Sequence, residues 1–142
     1  MSKNAECIAK LGDAGLFEDA KHEERFSKFM ESYGDKPFFN KGVCTCMFMS
    51  SMDDAHTAIL SETLKSMSDE NEESTKGMQS KGENLASFSS NDEAVIYKLS
   101  VSFVAGRPFF VTDDKIESLS DHAKYVIEQS LKANQTIAPV FA

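Results

Sequence analysis

The chain has no tryptophan, and its 142 residues include only three prolines and three cysteines. No apolar run approaches the roughly 20 residues that cross a bilayer. An odd cysteine count at Cys7, Cys44 and Cys46 is poor material for a disulfide framework, so the thiols read as free. Basic residues are outnumbered 15 to 23, a net charge of −8. That balance argues against gripping a phosphate backbone, which needs clustered Lys and Arg. The first residues carry no apolar core followed by a small-residue cleavage site, which points to the cytoplasm. Glycine-rich phosphate loops and the Gly-x-Ser-x-Gly nucleophile turn are also missing, so the reading is non-enzymatic, with no cofactor and no metal.

What is present is a globular balance, 41% hydrophobic and 27% charged, in a chain long enough for one ordinary domain over residues 1–142. A weak apolar stripe predicts a short helix over 3–11. A stronger stripe at Phe26, Phe29, Met30 and Tyr33 predicts a helix over 18–33, with Gly34 placed to stop it as a C-cap glycine. Residues 43–49, rich in β-formers and tightly bounded by turns, predict a strand. Asp53 and Asp54 then open a helix that runs to Met67. Residues 68–91 are acidic and serine-rich with few apolar anchors, and read as a mobile connection. Over 94–104 two patterns compete. Val95, Tyr97, Leu99, Val101 and Phe103 alternate like a strand, which would turn at 105–108 into Phe109, Phe110 and Val111. Ser90 with Glu93 forms a capping box for a helix instead. The alternation favours the strand. Short helices from Thr112 and from Ser120 follow, and the expected class is α+β: helix-rich, with a small sheet or hairpin.

Cys44 and Cys46 would share one face of the expected strand, close enough for a soft metal, but no further ligand pair accompanies them and buried small hydrophobes are the plainer reading. His22, His56 and His122 lie beside acids on expected helices and read as surface or cap-adjacent. Asp113 and Asp114 read as helix-start acids rather than a general acid and base. Seven Met and eleven Phe suit adaptable apolar surface as well as core. A candidate partner-binding set is Val126, Ile127, Leu131, Ile137, Val140 and Phe141. Its apolar content continues past Asn134 and around Pro139, so the tail either docks on the domain or awaits another chain.

From Val43 onward the order of elements resembles the tail assembly chaperones of long-tailed bacteriophages. The residues that carry the likeness are the run 43–49 leading into Asp53-Asp54-Ala55, the apolar run 95–104, Gly106, Phe109 or Phe110, Asp113-Asp114, Leu119 and Asn134. The chain departs from the pattern at Val104-Ala105, where acids are typical, and in lacking a Trp-Gly before the first strand. The resemblance implies a helix over 94–104, a bacterial host cytoplasm, and a helical tape measure protein as partner, with no nucleic acid and no membrane. Self-association is left open. The alternative is a small acidic inhibitor or mimic acting on a host enzyme or nucleic-acid-binding protein, and a structural virion subunit is third.

Overall fold

The computed structural model describes residues 2–69, 90–106 and 112–142. Its helices are α1 (Lys3–Asp13), α2 (Ala20–Tyr33), α3 (Lys41–Ser50), α4 (Asp54–Asp69), α5 (Asn91–Ala105), α6 (Asp113–Glu117) and α7 (Asp121–Ile137), closed by a 3-10 turn over Ala138–Phe141. No strand occurs among the described residues, so the fold is all-α and the α+β expectation is overturned. Most of the expected connection, residues 70–89, lies outside the described residues. So do residues 107–111, which held the second arm of the expected hairpin.

The error over 43–49 has a definite cause. A continuous apolar run bounded by turns suits a buried strand, but equally a helix buried on every side. Here Asn40 supplies the start: its side chain accepts the Val43 N–H at 2.9 Å. Every residue from Gly42 to Met49 is buried, because α3 packs on α7, α5, α2 and α4. A helix surrounded by others has no polar face to betray its period. Gly42 is needed where α5 crosses: a Cβ there would overlap the Phe103 carbonyl. About one turn further along α3, Asn134 Nδ2 of α7 donates to Thr45 Oγ1 at 3.1 Å.

The competition over 94–104 resolves as helix, against the alternation. Ser90 Oγ accepts the Glu93 N–H, while Val95 and Leu99, one turn apart, are fully buried. Gly106 ends α5 in the left-handed region at φ 67°, and its N–H bonds the Ser102 carbonyl. Gly34 does not act as a left-handed cap, since its φ is −67°. It is small for another reason: a Cβ would strike the Asn4 side chain, whose Nδ2 donates to the Met30 carbonyl at 3.3 Å and ties α1 to α2. The core runs through Leu11, Phe26, Met30, Met47, Phe48, Leu64, Leu99 and Ile137. No described helix is long and apolar enough to cross a membrane.

Candidate functional site

The densest polar cluster joins the starts of α4 and α5. Asp53 precedes α4 and accepts twice from His56, from its backbone N–H at 2.7 Å and from ring Nδ1 at 2.5 Å. On the other side of the ring, Nε2 meets Glu93 Oε2 of α5 at 2.7 Å. The imidazole is 14% exposed and each carboxylate 37%. It meets the Tyr97 ring edge-on, with centroids 5.9 Å apart. The hydrogen bond to Asp53 raises His56 to about 9, with burial opposing and Glu93 assisting. Burial would push Asp53 up, but the His56 contacts outweigh it and hold that carboxyl below its usual value. Burial, reinforced by Glu93, pushes Tyr97 up to about 12.

At neutral pH His56 is therefore an imidazolium with both N–H groups committed to carboxylates. Such a ring ties two helices together and has no lone pair with which to take a proton. The neighbours of Glu93 act in the same way. Asn91 Nδ2 donates to the Lys115 carbonyl at 3.0 Å, and Asp92 Oδ1 accepts the Ser120 N–H at 3.0 Å. The first turn of α5 thus holds α4, α6 and the start of α7.

His22 departs from the surface reading altogether, because it is fully buried. Its Nδ1 accepts the Glu18 N–H at 2.9 Å and its Nε2 donates to the Phe48 carbonyl at 2.8 Å, which fixes the neutral tautomer. Burial lowers its pKa. The rings of Phe17 and Phe48 enclose it, at 5.2 and 4.6 Å between centroids. The signal in the sequence was Asp19, which caps α2 by accepting the His22 N–H at 2.8 Å and so sets the ring facing inward. His122 is exposed and stacks on Tyr125.

The shared face expected of Cys44 and Cys46 is lost with the strand, since two residues along a helix point roughly 200° apart. Cys44 Sγ lies 3.9 Å from Met30 Sδ, whereas Cys46 Sγ approaches the Ser100 carbonyl at 3.5 Å. All three thiols are buried and free. No set of three or more His, Cys, Asp or Glu among the described residues is arranged to hold a metal. Asp113 and Asp114 stand exposed at the start of α6.

The six candidate partner-binding residues do not form one surface. Val126, Ile127 and Ile137 are buried in the domain's own core. Val140 and Phe141 are partly buried against it, Phe141 lying 5.7 Å from the Phe39 ring with Lys3 Nζ 5.1 Å from its own centroid. Leu131, 40% exposed, is the one exposed large hydrophobic among the described residues.

Comparison with protein-family models, with curated proteins and with solved structures finds no match. A second polar region was not foreseen in the sequence: a cleft of about 510 Å³ between α2 and α4, lined by Lys21, Glu24, Arg25 and Lys28 on one wall and Asp54, Thr57 and Ser61 on the other. Three cations four and three residues apart on an acidic chain, each one helical turn from the next, were the signal that could have found it.

Proposed function

We propose that the protein is a non-catalytic binding protein, a phage tail assembly chaperone that keeps a helical tape measure protein soluble while tails assemble. The observation that carries this reading is the helix over Asn91–Ala105 with its glycine turn at Gly106. The likeness to that family implied a helix where the residue alternation favoured a strand. The helix-start acids at Asp113 and Asp114 and the position of Asn134 in the last helix support it further. The helix α3 weighs against it, because the likeness placed a strand there.

The physical basis is modest and specific. An acidic helical domain can cover an apolar stripe on another helix while its net charge keeps the complex dispersed. The test is co-expression with a tape measure protein, the long helical partner that this reading requires. The expected result is that this partner stays in the soluble fraction only when the chain is present, and that the chain is missing from finished virions. Stoichiometric amounts in purified virions would make it a structural subunit. Capture of a host nucleic-acid enzyme, lost as salt rises, would make it an inhibitor. Either result overturns the proposal.

A further inference from the structure

The cleft between α2 and α4 has an unusual charge for this molecule. Lys21, Arg25 and Lys28 line one wall of it, with Glu24 as the one acid among them, in a chain of net charge −8. Their spacing puts them along one face of α2, with about 6 Å of rise from the first to the second and about 4.5 Å to the third. Arg25 is held in place: its side chain is 21% exposed and Nη1 donates to the Ser51 carbonyl at 3.4 Å. Its Nη2 meets Asp54 Oδ1 at 2.6 Å, yet the Asp54 side chain is 90% exposed. Lys28 is paired with Glu24 at 3.3 Å, both well exposed. Lys21 makes no ion pair among the described residues.

Exposed pairs of this kind contribute little and exchange readily. A guanidinium fixed from behind by a backbone carbonyl, by contrast, is prepared for a carboxylate. Asp54 already occupies that position, as a side chain of the protein itself standing where a ligand carboxylate would bind. Beyond the cations, Phe29 floors the cleft and Tyr33 lines it further along α2.

We infer that this cleft binds an acidic helical segment of a partner protein, with carboxylates one turn apart engaging Lys21, Arg25 and Lys28 and displacing Asp54. The open shape and the repeat along the α2 axis match successive carboxylates on a helix better than one compact anion. This inference rests on the protein-binding reading above and names the chemistry of the partner.

The experiment titrates the full chain into a fluorescein-labelled helical peptide carrying glutamates one turn apart. A scrambled peptide of the same composition and inorganic phosphate serve as competitors. Lys21→Glu with Lys28→Glu should weaken binding by at least about tenfold, as loss of two charge-assisted contacts implies. Asp54→Asn should tighten it severalfold by removing the internal competitor. Circular dichroism reports whether each variant is folded, and Lys21→Gln, which breaks no contact, serves if the double variant is not. Binding unchanged in the lysine variants, or unchanged or weakened in Asp54→Asn, overturns the inference. Equal competition by phosphate or the scrambled peptide also overturns it, leaving an oxyanion site without helix specificity. Should the lysine variants keep a co-expressed tape measure protein soluble while the peptide fails to bind, the cleft inference falls and the chaperone reading stands. Peptide binding with no effect on the solubility of that protein gives the converse.

Discussion

Gly42 and the Phe103 carbonyl touch across the crossing of α3 and α5, with no room between them for a methyl group. Alanine would favour an isolated helix by about 1 kcal/mol, whereas overpacking a closed crossing costs about 1 to 3 kcal/mol. The obstruction is backbone rather than a flexible side chain, which puts the cost in the upper half of that range. Gly42→Ala is therefore expected to lower stability by about 1 to 2 kcal/mol, read as a lower urea midpoint at constant slope. A midpoint that stays put or rises would mean that the helices separate freely.

Buried His22 and partly buried His56 act in opposite directions with pH. His56 is raised from 6.5 to about 9, so its contribution is complete below 6.5 and is lost as pH climbs through 9. Allowing for solvent at the carboxylates, that contribution is about 1 to 2 kcal/mol. His22 is lowered, so its contribution is complete above 6.5 and declines as pH falls below it. Thermal melts should fall off on both sides of neutrality. His56→Gln should flatten the alkaline side alone, and an alkaline slope identical to wild type would remove His56 from the account.

The thiols should be silent in the native state. Cys7, Cys44 and Cys46 are at most 2% exposed, and burial raises Cys46 to about 12. Reaction with a disulfide reagent should proceed only as fast as the protein opens, and become immediate in denaturant. A prompt stoichiometric reaction in native buffer would contradict the packing described.

Ser130 is fully buried, and its hydroxyl has no hydrogen-bond partner among the described residues. Leaving a polar group so costs about 1 to 3 kcal/mol, which alanine would avoid. Ser130→Ala should raise the urea midpoint or leave it unchanged. A clear fall would reveal a partner for the hydroxyl.

Removing residues 137–142 should cost stability rather than only binding. Ile137 is fully buried, and Phe141 lies against Phe39 and Lys3. Truncating one buried aliphatic side chain costs about 2 to 5 kcal/mol. Equal melting temperatures for the full and shortened chains would return the tail to the role of a free arm.

The amphipathic helices were legible because each keeps one wet face: Phe26, Phe29 and Met30 on α2, and Ala123, Val126 and Ile127 on α7, mark the buried side. Helix α3 was not, since Gly42 to Met49 are all buried and burial erases the period that separates helix from strand. In α5 the strand-like alternation arose from Val101 and Phe103, which are only partly buried, whereas the packing rests on Val95, Ile96 and Leu99. The His56 tie spans 37 residues to Glu93, and no local pattern could announce it. The His22 cap was written in Asp19, three residues before it.

Asn91, Asp92 and Glu93 each reach a different neighbour because successive helical residues point about 100° apart. A substitution at any one of them removes a single tie and leaves the other two. One residue inserted within that turn would instead rotate the three side chains relative to the rest of α5 and misdirect them together. The start of α5 should therefore tolerate spelling changes far better than changes of length, a frame that constrains how this chain can vary.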